Sequence, residues 1–333
     1  MKIELVRFII ICCYEEVDRM NNQLNNMLND FLKNSGAKNE KELNEKLQEF
    51  IQKYNAGELE YEETDLDKAY ALLEKAQNTT SEKKALKLAK EAYEFCPACF
   101  DALLFQVSLE ENSLKRDELL AEGLAKEKER LQKEGFFDKD NIGIFYGIFE
   151  TRPYIRGLYL KTSNLLDDGK YTQGVESCKE ILKLNNSDNT GTRYLLMATY
   201  ALLENEKEAL KLYKQYPENN LEMLFPLFAL YYKLGNDEKA HQYLDKIFKS
   251  NPYFVTFLED DYEVDLESDE DFVSGYYSVG RFPEVLHYMS NYEFLVLTMN
   301  SFEDYILAYY HSITDKNKGK KVSKNKNKKE KVN

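Results

Sequence analysis

Tryptophan is absent from the 333 residues, proline occurs only 6 times, and there are 3 histidines and 14 glycines. So few helix breakers leave room for long helices and exclude linker-dominated or collagen-like chains, which need glycine or proline in bulk. Cysteine numbers 5, an odd count spread over a large chain, so a framework of paired disulfides is excluded and a reducing compartment fits. No long hydrophobic run is present either. The longest near the N-terminus, Phe8 to Tyr14, falls far short of the roughly 20 residues of a spanning helix and has no small-residue cleavage site. Cys12 follows three isoleucines, which is wrong for a lipoprotein cysteine. The chain reads as cytoplasmic. Residues 1–19 differ in character from the amphipathic segment that begins at Met20, which leaves open whether Met1 or Met20 is the start.

What is missing also limits the chemistry. There is no glycine loop that could cradle a phosphate, and His241, His287 and His311 stand apart from any recognisable nucleophile motif. Cys96-Pro97-Ala98-Cys99 matches C-x-x-C but follows a helical pattern instead of a strand, and a zinc site would need two further ligands. Asp138, Asp140 and Gly143 imitate the start of a calcium loop, yet Ile142 and Phe149 stand where oxygen ligands are required. No catalytic residue, cofactor or metal is expected.

What the chain does have is 25 tyrosines, 19 phenylalanines and an uneven charge. Residues 316–333 hold nine lysines and one glutamate, a net +8, which leaves −22 for the rest of the chain. With almost nothing to bury, residues 315–333 read as a disordered basic tail. Glu259 to Asp271 carries nine carboxylates and reads as a solvated acidic loop. Lys126 to Lys133 alternates charges and reads as a solvated helix face.

Apolar residues at spacings of three and four fill the remainder. Leu24, Met27, Leu28, Phe31 and Leu32, then Leu43, Leu47, Phe50, Ile51 and Tyr54, predict a helical hairpin turning at Asn34 to Gly36. This makes residues 1–57 an accessory helical region, followed by an acidic linker from Glu58 to Asp65. Residues 65–97 predict a second hairpin, with Ser81 as a cap, a stripe of Ala85, Ala89 and Ala92, and Pro97 as its stop. Two more helices are expected over 98–134. Phe136 to Phe149, rich in aromatics, interrupts the pattern.

A repeat with a period in the thirties then becomes legible. Hairpins are expected over 153–185, 190–216 and 221–250, with Leu165, Tyr200 and Tyr231 where the first helix packs on the second. Gly174, Ala209 and Ala240 supply small residues at the crossing, and Asn186, Pro217 and Pro252 close the units. Pro226 is the misfit, since a helix there must start late or kink. Phe282 to His311 reads as capping helices. The fold class is all-α, a right-handed solenoid of helical hairpins over residues 65–310, and solenoids bind through surfaces.

Glu150, Arg152, Arg156 and Arg193 form the sharpest polar signal. Thr151 is placed to cap a helix with Pro153 in its first turn, and Glu150, Asp167 and Asp188 are available as counterions. Either the arginines belong to a structural ion network, or their planar guanidinium groups clamp a carboxylate or phosphate.

Glu150-Thr151-Arg152-Pro153-Tyr154-Ile155-Arg156-Gly157 and the run from Asn185 to Leu196 resemble paired blocks of a set of bacterial tetratricopeptide-repeat proteins. So does Cys96 to Ala102, which is similar to the family's proline-containing junction. The likeness spans roughly residues 60 to 310, with Ile155, Gly157, Asn186 and Thr190 departing from the usual residues. Some members end in a cysteine-rich metal motif, which does not carry over because no cysteine follows Cys178. The resemblance implies a non-catalytic scaffold that holds a protein or peptide in a concave groove, with no membrane and no small-molecule substrate. By the family's register the groove is lined by Arg156, Tyr159 and Asp167, then Tyr194 and Ala198, then Phe225, Ala229, Tyr232 and Lys233. The alternative is a nucleic-acid or ribosome-associated protein acting through the lysine tail.

Overall fold

The computed structural model describes residues 39–59, 62–259 and 277–329, with isolated positions between 24 and 36, and side chains as far as Asp315. Residues 1–19, most of the first accessory helix and nearly all of the acidic loop therefore lie outside the described residues. Within them the chain is all-helical, with two short 3-10 turns and isolated bridges from Gly143 and Ile144 to Asn185 in place of any strand. No described helix is long and apolar enough to cross a membrane. Two compact units form: residues 1–164 with 180–190, and residues 165–179 with 191–333.

In the first unit α1 (Glu40–Asn55) begins at Asn39, whose side chain accepts from the Glu42 N–H. Next, α2 (Asp65–Gln77) opens with a capping box in which Thr64 and Asp67 satisfy each other's backbone N–H groups. The pairing of α2 with α3 (Glu82–Phe95) is the expected hairpin, and Ala85, Ala89 and Ala92 are buried between them. Ser81 holds the N-cap position of α3 but its hydroxyl makes no capping bond, a correction to its expected role. Helix α4 (Phe100–Leu109) is buried over nearly its whole length, and α5 (Ser113–Lys133) packs on it. The α5 charge run is not simply a solvated face: Glu127 is 3% exposed and is gripped by the Arg130 guanidinium. Phe137, Phe145 and Tyr154 meet edge to face beneath the irregular segment before α6 (Arg152–Asp167).

The repeat is written most clearly in the hairpin turns of the second unit. These follow α6, α8 (Thr192–Leu202) and α10 (Leu221–Lys233), and they lead into α7 (Tyr171–Leu184), α9 (Glu206–Gln215) and α11 (Asp237–Ser250). Each turn has one residue in the left-handed region: Gly169 at φ 74°, Glu204 at φ 55° and Gly235 at φ 67°. In each, the next N–H bonds back to the carbonyl five residues earlier, from Lys170 to Leu165, Asn205 to Tyr200 and Asn236 to Tyr231. This is the Schellman closure of a helix C-terminus. Leu165, Tyr200 and Tyr231 thus share one register, although Leu166, not Leu165, is the side chain that lies over Gly174. Ala209 and Ala240 are fully buried. Helices α8 and α10, the first helices of successive hairpins, pack side by side.

Glu204 occupies a position that glycine fills in both sister turns. A side chain there costs about 1–2 kcal/mol, partly offset by the lower chain entropy it gives the unfolded state and by a 3.6 Å half-exposed ion pair to Lys233. Glu204→Gly is expected to stabilise by about 0.5–1 kcal/mol, read as a higher urea midpoint at unchanged slope. A lower midpoint would mean that the ion pair outweighs the strain.

Helix α10 starts at Leu221 under an Asn220 cap, so the late start offered for Pro226 is ruled out. Pro226 lies inside the helix and leaves the Glu222 carbonyl without its usual N–H. Helices α12 (Tyr253–Leu258), α13 (Phe282–Asn291), α14 (Glu293–Val296) and α15 (Phe302–Lys329) complete the unit. The backbone of α15 is helical through most of the lysine tail, where composition alone predicts disorder. Lysine is a good helix former, and extending an existing helix avoids the cost of nucleation.

Candidate functional site

The arginine block resolves into separate centres. In the first unit Arg156, on α6, reaches across to Asp101, the one carboxylate of the apolar α4. The contact is bidentate, at 2.9 Å from Nε to Oδ1 and 2.5 Å from the second nitrogen to Oδ2. Asp101 is 1% exposed and also accepts the Tyr70 hydroxyl at 2.8 Å. Burial and the Asp101 charge push the Tyr70 phenol well above its ordinary range. Arg152 does something else: its guanidinium lies 3.9 Å from the centroid of the Phe149 ring, faces Tyr146, and donates to the Tyr146 carbonyl at 2.7 Å. Thr151 turns its hydroxyl back on the segment before α6, donating to the carbonyls of Phe145 and Ile148.

Leu66, Tyr70, Ala98, Arg130, Phe149, Glu150, Pro153 and Arg156 enclose a cavity of about 50 Å³ here. Arg130 is held by Glu127 and Glu134, and Arg156 by Asp101, so both cations facing the cavity are already compensated. Burial raises the Glu127 carboxyl against the pull of Arg130. A carboxylate or phosphate would have to displace these partners, so the geometry favours the structural network over the clamp.

Arg193 belongs to the second unit. Its Nε donates to Glu218 at 2.9 Å and a terminal nitrogen donates to the Tyr194 hydroxyl at 2.6 Å. Tyr194 in turn donates to Glu218 at 2.6 Å, and Asn220 bonds both. Burial alone would raise Glu218, but the hydrogen bonds from Tyr194 and Arg193 hold it below the usual carboxylate range. This closed set fastens the start of α8 to the loop that caps α10.

The groove positions divide unevenly. Ala198, Phe225 and Ala229 are fully buried and cannot meet a partner in this conformation, which corrects their assignment to an open surface. Phe225 is enclosed by Phe254 of α12, Tyr288 of α13 and Phe302 of α15, at ring separations of 5.9, 5.0 and 5.8 Å. The physical reason is that the capping helices fold over the face of α10 that the repeat register leaves open. Tyr232 packs against Tyr305 of α15, and Lys233 donates to the Leu202 carbonyl at the end of α8. Tyr159 and Tyr194 remain half-buried, and Asp167 is exposed.

Asp101, Tyr70 and Glu218 were missed by sequence reasoning. One signal was available for the first, since a lone carboxylate in the apolar run Phe100 to Val107 has to find a cation. No family model matches the chain, and no curated protein is significantly similar to it.

Proposed function

We propose that this chain is a cytoplasmic, non-catalytic interaction module, a tetratricopeptide-like solenoid that holds a protein or peptide against the first helices of its hairpins. The observation that carries this reading is the turn repeated at Gly169, Glu204 and Gly235, together with the side-by-side packing of α8 and α10. Stacked hairpins with first helices adjacent are the construction by which such arrays present a continuous surface. The polar centres support it by what they do. Their charges are spent on one another, as in a scaffold, and the accessible members of the predicted surface are Tyr159 in the first unit and, separately, Asp167, Tyr194, Tyr232 and Lys233 in the second.

The test is capture from native lysate by the full chain, with partners identified by mass spectrometry. Asp167→Lys combined with Tyr232→Leu alters the second unit's surface without touching Arg156 or Arg193. A partner retained by the unmodified chain and lost by the double variant, at unchanged melting temperature, is the expected result. Equal capture by both would remove this surface from consideration.

A further inference from the structure

Helix α13 is fastened to α10 through two carboxylates that have no solvent exposure. Glu284, on α13, accepts from the N–H of Leu221 at 2.8 Å, the N–H of Gly280 at 2.6 Å and Asn251 Nδ2 at 2.8 Å. Three donors satisfy its two oxygens. Glu222, at the start of α10, is differently placed. One of its oxygens accepts the Tyr277 hydroxyl, while the other, Oε2, is buried with no hydrogen-bond partner. The Tyr288 hydroxyl on the facing helix is also buried without one. An ionised carboxylate with a bare buried oxygen is among the costliest groups a core can hold. A protonated carboxyl loses the charge and gains a donor, and Tyr288 is an unfilled acceptor on the helix opposite.

We propose that Glu222 is a proton-binding site whose occupancy holds residues 277–291 against α10: protonated, it closes this cover over Phe225, and ionised, it loosens it.

Of the groups facing Glu222, the two carboxylates favour its neutral form and the Tyr277 hydroxyl opposes it. Glu218 comes from the loop before α10, Glu284 and Tyr288 from α13, Tyr277 from the turn before α13, and Tyr194 from α8. Burial, then the Glu284 and Glu218 charges, push Glu222 up to about 7 against the opposing Tyr277 hydrogen bond. His287 is the counterweight. Burial lowers it to about 4, its ring lies 4.4 Å from that of Tyr277, and Asn291 Nδ2 sits 3.2 Å from Nδ1 as a neutral ring accepting there requires.

The signs then oppose. A carboxyl raised in the folded state favours docking fully below its unfolded value of 4.5, and that advantage is lost as pH rises towards 7. A histidine lowered in the folded state favours docking above its unfolded value of 6.5, an advantage lost as pH falls towards 4. Between these limits the two slopes cancel, and the unmodified protein should show little net dependence.

Hydrogen exchange of residues 277–291 in the full chain separates them. In His287→Gln the opening equilibrium should rise by up to about tenfold per pH unit from roughly pH 5 to 7, and in Glu222→Gln it should fall with the opposite sign. Infrared difference spectra of unmodified protein against Glu222→Gln supply a readout that does not depend on the histidine variant folding. A protonated-carboxyl band should be present at about pH 6, vanish in the variant, and titrate near neutrality. Absence of that band, or identical exchange profiles for the unmodified protein and Glu222→Gln, overturns the proposal.

Discussion

Arg156→Ala is expected to destabilise the first unit by about 3–5 kcal/mol, because it strands Asp101 as an uncompensated charge in the core. Asp101 is 1% exposed, and its remaining partner, the Tyr70 hydroxyl, is a neutral donor that cannot replace a guanidinium. The loss has little to do with the attraction of the pair itself, and the double variant Arg156→Met with Asp101→Leu makes the distinction. Removing both charges together should restore most of the loss, since a buried ion pair and a well-packed apolar pair of similar volume are close in free energy. Arg156→Lys should fall between them, keeping the charge but losing the fork that meets both carboxylate oxygens. Urea denaturation of the unmodified protein and these three variants gives the comparison. If Arg156→Ala costs under about 1 kcal/mol, water reaches Asp101 and the contact behaves as a surface pair.

The hairpins were legible because their signals are local. Apolar spacing and the small residues at Gly174, Ala209 and Ala240 each report on a stretch of one or two turns, and such signals survive in a single sequence. The polar centres were not legible because their partners lie far apart in the chain. Arg156 finds Asp101 at a separation of 55 residues and Arg193 finds Glu218 at 25. The burial of three groove positions was hidden for a third reason. A repeat register says which face of α10 is free of its own hairpin partner, and it is silent on whether a later segment covers that face. Phe225 and Ala229 fit the register and are nonetheless buried, Phe225 under α12, α13 and α15. Phe282 to His311 did read as apolar capping helices, but a pattern of spacing does not carry an address for docking.

The address is set in part by Gly280, and Gly280→Ala is expected to cost about 2–4 kcal/mol. The residue has φ +83°, so an alanine begins with a left-handed penalty of about 1–2 kcal/mol. The second contribution is steric. A Cβ at this position would sit 2.8 Å from the Ser250 carbonyl oxygen at the end of α11, and backbone cannot rotate aside as a side-chain tip can. Relieving that contact moves the turn that delivers the Gly280 N–H to Glu284, and Glu284 also holds the first N–H of α10. Gly235→Ala is the control, since its φ is +67° and nothing lies within 4 Å of a Cβ there. It should lose only the conformational share, about 1 kcal/mol. The excess of Gly280→Ala over Gly235→Ala in urea midpoint measures the close approach alone, and amide exchange at Leu221 should quicken in the first variant and not in the second. Equal losses in the two would mean that α13 follows the displaced turn without strain, leaving the docking of α13 to Glu222, Glu284 and the apolar contacts of Tyr288.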